Sequence, residues 1–205
     1  MPIADYAVSL QSRHFLVPTL VAVWLGLAAV GLWVLWAYDN RAGTAASAPQ
    51  QWPADTRLAR TDGQATLVFL AHPRCSCTRA SLTELAEVLA HSKRRLRTYV
   101  VFIRPDGFEA KWEQTELWRR AMALPGVTVT RDDAGAEAAR FGAATSGQTL
   151  LYDARGNLIF SGGITGSRAH EGENAGELAL LAAINGRTRR ARSSVFGCPL
   201  FSWRL

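Results

Sequence analysis

Cys75 and Cys77 stand one residue apart where the apolar run 66–71 gives way to a helical pattern beginning near Ser76. Two thiols at a strand-to-helix junction suit thiol–disulfide chemistry. The unpaired N–H groups at a helix N-terminus and the positive end of its dipole stabilise thiolate, the reactive form. Arg74 and Arg79 flank the pair and push in the same direction. One cysteine in this place reads as a small residue closing a strand; two of only three in the chain read as a functional pair. Residues two apart on a regular helix point to different sides, so a bond between Cys75 and Cys77 requires both to lie in the turn before the helix proper. Such a small ring is strained and easily reduced, which suits exchange with a partner protein. One sulfur then attacks and the other resolves the mixed disulfide, and helix geometry favours Cys75, nearer the exposed end, as the attacker.

Cys198 lies in an apolar island at 195–201, beyond a cluster of arginines. It is either a buried thiol in a docked tail or a resolving partner to the pair. The second role requires the tail to fold back to the strand ends that carry Cys75. A metal site is the alternative chemistry: His72, Cys75 and Cys77, completed by Cys198 or His170, would offer thiolates and imidazole, a set that favours Cu(I) or Zn(II). Disulfide exchange itself calls for no cofactor. The glycine-rich segment 162–174 carries Arg168 and His170, which could stabilise a thiolate or carry a proton, or could simply connect to the last helix.

These residues need a scaffold. The pattern predicts a strand at 67–71, a helix at 76–91 with Leu82, Leu85, Ala86 and Leu89 on one face, and a strand at 98–103. Turn chemistry at 105–107 precedes a helix expected over 109–124, stopped by Pro125-Gly126. A short strand at 127–130 follows, then a short helix capped by Asp132-Asp133 and ending near Phe141-Gly142. The strands 149–152 and 158–161 flank the turn 153–157 as a hairpin, and 174–185 is the closing helix. This order implies an α/β fold, a mixed sheet of parallel and antiparallel strands flanked by helices.

The order also resembles the thioredoxin fold, most specifically at Phe69-Leu70-Ala71 before the cysteines, at Phe141-Gly142 leading to 149–153, and at Gly156-Asn157 followed by 160–163. The chain is similar to membrane-tethered members of the thiol-disulfide oxidoreductase superfamily. Its C-x-C pair and the segment 162–170 resemble the proteins called RedB. The resemblance covers about residues 56–186 and implies a protein thiol or disulfide as partner; the other reading of the same fold is a non-catalytic scaffold that binds a membrane partner. Aligning Phe69-Leu70-Ala71 with the family strand places Cys77 on the second cysteine of the usual C-x-x-C and Arg74 on the first, with Cys75 inside the motif. Gly147 falls where the family carries a cis-proline, and its loss removes a feature thought to block metal binding there.

Residues 15–38 hold no charge and carry Trp24, Trp33, Trp36 and Tyr38. About 20 apolar residues suffice to cross a bilayer, and the apolar region exceeds the h-region of a cleaved signal, so one uncleaved transmembrane anchor is expected after a short segment at 1–14. Residues 39–55, rich in Ala, Ser, Pro and Gln, read as a linker, 56–186 as one domain, and 187–205 as a basic and apolar tail. Arg13 precedes the span and Arg41 and Arg57 follow it, so flanking charge does not settle orientation. Disulfide chemistry favours a periplasmic domain on a bacterial inner membrane.

The net charge of +6 is concentrated: Arg187, Arg189, Arg190, Arg192 and Arg204 follow the last acidic residue and leave only +1 for the rest. That distribution gives no spread basic face for nucleic acid. The cluster either complements a helix end in solvent or meets anionic lipid headgroups. Neither a phosphate-cradling loop nor a Ser-His-Asp assembly is present.

Overall fold

The computed structural model describes residues 3–188 and 190–201, with side chains from Phe15 onward. Two compact units divide at Asn40 and Arg41. The first is a single helix, α1 (Ile3–Asp39), whose part from Phe15 to Asp39 has a mean hydropathy of 2.2 and is long and apolar enough to cross a membrane. Its 25 residues correspond to about 37 Å at 1.5 Å each, more than the roughly 30 Å of a hydrocarbon core.

The second unit is built on a six-stranded sheet in the order β3-β2-β1-β4-β5-β6. Its centre is β1 (Ala65–Ala71), where six consecutive residues are buried, the mark of a strand covered on both faces. It runs parallel to β2 (Leu96–Arg104) and antiparallel to β4 (Gln148–Tyr152). Outside β2 lies β3 (Val127–Asp133), parallel to it over seven residue pairs. Outside β4 lies β5 (Leu158–Gly162), antiparallel across the 153–157 turn. Residues alternate between two cores. Leu67, Phe69, Val100 and Phe102 face α2 (Ser76–His91), α3 (Glu116–Met122) and α5 (Ala175–Ile184), whereas Val68, Leu70, Val101 and Ile103 face α4 (Ala136–Arg140), Leu58 and Leu200.

The expected helix over 109–124 is helical only at Glu116–Met122. Lys111 adopts φ +74°, a left-handed conformation that interrupts a helical ladder. Trp112 there stacks on Phe108 and edge-on against His72, so tertiary packing draws this segment toward the cysteines instead. The two acidic residues at 132–133 divide the capping role unequally. Asp132 accepts the Glu137 and Ala138 N–H groups of α4 at 2.8 Å each, while Asp133 pairs with Arg104. Asn174 caps α5 by accepting from the N–H groups of Gly176 and Glu177.

Two segments outside the sheet pattern are tied to the domain by backbone hydrogen bonds. In the stretch that composition marks as linker, Ser47 N donates to Gly142 O, Trp52 N to Gly156 O, and Gln50 O accepts from Leu158 N. The Trp52 ring meets Phe141 and Tyr152 edge-on at 5.1 and 5.2 Å. At the other end, β6 (Ala191–Arg192) adds a parallel edge to β5, and the chain then crosses the strand ends to Phe201. Among the tail arginines, Arg187, Arg190 and Arg192 are described; Arg189 and Arg204 lie outside the described residues.

Candidate active site

The parallel pair β1 and β2 ends at one edge of the sheet, and there the chain turns through 72–75 into α2. Cys75 is the N-cap residue of α2, with extended φ −103° and ψ 127°, and Cys77 is the second residue of the helix rather than part of the preceding turn. The Cys75 carbonyl accepts from Thr78 N at 3.1 Å, closing the first turn. A hydroxyl pair fixes this turn to the strand beside it. Ser146 Oγ accepts from His72 N at 2.8 Å and lies 2.7 Å from Thr78 Oγ1, which donates to His72 O at 3.0 Å.

The third cysteine is here as well. The tail lies antiparallel to 144–146: Ser146 N donates to Cys198 O and Leu200 N to Ala144 O, both at 2.8 Å, around a bridge between Thr145 and Pro199. Val195 and Leu200, buried on either side, anchor it, and Arg168 Nη1 donates to Gly197 O at 2.9 Å. The Sγ atoms of Cys75 and Cys198 are 2.9 Å apart. None of the three cysteines is in a disulfide; Cys75 and Cys77 are buried and Cys198 is half-buried.

Cys75 is the sulfur on which donors converge. Its pKa is strongly depressed, chiefly by donation from the Cys198 thiol, then from the Cys77 thiol, helped by the N–H groups of Cys198 and Thr78 and opposed by burial. The other two thiols move the opposite way. Donation to Cys75 and burial hold Cys77 and Cys198 protonated, against a smaller opposing pull from Arg168 on both. The 162–174 loop contributes a second group, since the Ala169 N–H is directed at the Cys77 sulfur. Ala169 has φ +53°, an uncommon conformation for a residue with a Cβ, so the loop holds some backbone strain at the site.

The flanking arginines have other partners. Arg74 stacks over Trp112 at 4.9 Å and Arg79 pairs with Glu116 at 3.0 Å. Neither is among the causes of the Cys75 shift, which arises from thiols and backbone instead. Both line an open cleft of about 310 Å³ with Pro73, Cys75, Thr115 and Glu116. Gly147, with φ +88°, donates its N–H to Leu70 O and passes close to Ser81 and Phe196. His170 is exposed and outside the sulfur cluster.

The donor set His72, Cys75, Cys77 and Cys198 does not assemble as a metal cage. His72 Nδ1 accepts from Arg74 N at 3.1 Å, burial is the main cause lowering its pKa, and among the described residues no group of three or more His, Cys, Asp or Glu side chains is placed to hold a metal ion. Thr78, Ser146 and Ala169 are site residues that residue type alone does not single out. The only sequence signal for the first two is a hydroxyl at each chain crossing.

The chain matches no protein-family model and no curated protein. Its structure is similar to that of a hypothetical protein of Sinorhizobium meliloti at TM-score 0.54 and 20% identity, covering 78% of this chain and 94% of that one. It is also similar to an uncharacterised conserved protein of Geobacillus kaustophilus at TM-score 0.55 and 14% identity, covering 80% and 93%. The exposed lipoprotein thioredoxin of Streptococcus pneumoniae matches at TM-score 0.45 and 17% identity, over 61% and 86%. With β2-β1-β4-β5 at its centre, β1 parallel to β2 and antiparallel to β4, and two cysteines where β1 enters α2, the second unit has a thioredoxin-like fold.

Proposed function

We propose that this protein is a membrane-tethered thiol–disulfide oxidoreductase in which Cys75 is the attacking thiol. The observation that carries this reading is the placement of Cys75 at the N-cap of α2 with the Cys198 sulfur 2.9 Å away, where neighbouring thiols and backbone N–H groups lower its pKa. A lowered pKa favours the thiolate, which is the nucleophile in disulfide exchange. In the reaction, the Cys75 thiolate attacks one sulfur of a partner protein's disulfide and the other partner sulfur departs as thiolate. A second thiol of the cluster, Cys77 or Cys198, then attacks Cys75 and releases the partner. The cleft bordered by Arg74 and Arg79 adjoins the Cys75 turn. The apolar helix α1 would hold the domain at a membrane, with disulfide chemistry placing the domain on the periplasmic side. The tail arginines Arg187, Arg190 and Arg192 would reinforce this by meeting anionic headgroups.

The test is the rate at which the reduced full-length chain, in detergent, cleaves a fluorogenic disulfide-linked peptide. Cys75→Ser is expected to lower that rate by at least about a thousandfold, as loss of a nucleophile does. A Cys75→Ser protein that retains more than a tenth of the wild-type rate would contradict the proposal.

A further inference from the structure

A nucleophile must be reached, yet Cys75 is 2% exposed. What meets its sulfur is the chain's own tail, bridged antiparallel to 144–146 with its cysteine sulfur 2.9 Å from that of Cys75. The ledge pairs with it through backbone groups, taking Cys198 O and Leu200 N on either side of Pro199, whose missing N–H is therefore not needed. Three features around Cys198 are selective. A Cβ added at Gly197 would fall on the Ser146 carbonyl, so only glycine lies this close. Leu200 enters the core beside Phe141 and Leu150. Arg168 closes over the Gly197 carbonyl.

We propose that the ledge at 144–146 is a binding site for an extended peptide of the form Gly-Cys-Pro-aliphatic, that residues 195–200 fill it as an internal ligand, and that Cys198 resolves the mixed disulfide on Cys75. This rests on the reading of Cys75 as the nucleophile and adds to it a client class and a resolving residue. The tail lifts, and a disulfide-bearing client strand takes its place. The Cys75 thiolate bonds to the client's nearer sulfur; the client's S–S bond breaks and its other sulfur leaves as thiolate, taking a proton from solvent. The client strand then leaves the ledge while still bonded to Cys75, the tail returns, and Cys198 gives its proton to solvent and attacks the Cys75 sulfur; the Cys75–client S–S bond breaks and the client's nearer sulfur departs as thiolate. Two electrons pass from Cys75 and Cys198 to the client, whose disulfide is the oxidant, and Cys77 remains a thiol.

The full-length reduced chain is reacted with the symmetrical disulfide of a synthetic hexapeptide bearing the sequence of residues 195–200, then alkylated and peptide-mapped. Wild type is expected to yield a Cys75–Cys198 link with Cys77 alkylated, and Cys198→Ala to retain the hexapeptide on Cys75. Gly197→Val, which displaces the tail and leaves all three thiols in place, is expected to raise Cys75 alkylation by iodoacetamide about tenfold or more, in proportion to exposure of the thiolate. It should also take up this hexapeptide at least about fivefold faster than a scrambled one if the ledge selects by fit. A Cys75–Cys77 link in wild type with Cys198 alkylated overturns the resolving role while leaving Cys75 as nucleophile. Equal rates for the two peptides overturn the binding site. Absence of any exchange in every form overturns the reading of Cys75 and this inference together.

Discussion

The two walls of the site differ in what they do to the same sulfur. On the cleft wall, Arg74 and Arg79 are charged, exposed and close in sequence to Cys75, yet one stacks on Trp112 and the other pairs with Glu116. On the tail wall, Cys198 is 123 residues away in sequence and uncharged, and it is the largest single cause of the Cys75 shift. The difference shows that a short directed donor outweighs a full charge that is solvated and already paired. Hydrogen bonds to a thiolate act at contact, whereas an exposed guanidinium is screened by water and, for Arg79, by its Glu116 partner.

This contrast can be broken in order of effect. Cys75→Ser removes the sulfur both walls serve and abolishes exchange. Gly197→Val removes the tail wall while sparing every thiol, and raises the accessibility of Cys75. Cys198→Ala removes the foremost donor, so the Cys75 thiolate titration, followed by absorbance at 240 nm, is expected to move up by about one pH unit or more; an unchanged titration would place the cause elsewhere. Arg168→Gln keeps a donor toward Gly197 O but deletes a charge that favours the Cys77 and Cys198 thiolates, so resolution of the mixed disulfide should slow by about two- to fivefold. Arg79→Ala touches only the cleft wall and should leave the titration in place and the exchange rate within about twofold.

Stability carries the same signature in its pH dependence. Cys75 has a folded pKa below the ordinary thiol value of 9.0, so its contribution is full above that value and is lost as pH falls toward the folded one. Cys77 and Cys198 are raised, so theirs is full below 9.0 and is lost as pH rises above it. Thermal melting of the reduced chain, compared with a form lacking all three thiols, should show a thiol-dependent increment that is largest near pH 9 and declines on both sides. An increment that climbs steadily through pH 10 would contradict the assignment of the two proton-holding thiols.

The legible parts of the molecule are those set by local pattern. The buried run of β1, the helix at Ser76–His91 and the hairpin around 153–157 each follow from hydrophobic period and turn residues, and with them the position of Cys75 and Cys77. Cys198 is recognisable only as a cysteine in an apolar island, because the bond pair that seats it joins backbone atoms of 144–146 and 198–200 and leaves no trace in side-chain type. The segment 43–52 misleads for the same reason, since its small polar residues read as a linker while its N–H and C=O groups are tied to Gly142, Gly156 and Leu158. At 109–115, a helical pattern yields to a tertiary contact, the Trp112 ring beside His72. Ala169 is the least legible, a residue whose backbone conformation rather than its side chain brings it to Cys77.

The claim on which the account depends is that Cys75 is the redox-active sulfur, and intact mass spectrometry of the reduced full-length chain before and after oxidised glutathione tests it most directly. The account predicts that wild type loses two hydrogens, that dithiothreitol restores them, and that Cys75→Ser shows no such loss. A Cys75→Ser chain that still loses two hydrogens, or a wild-type chain that loses none, would contradict it.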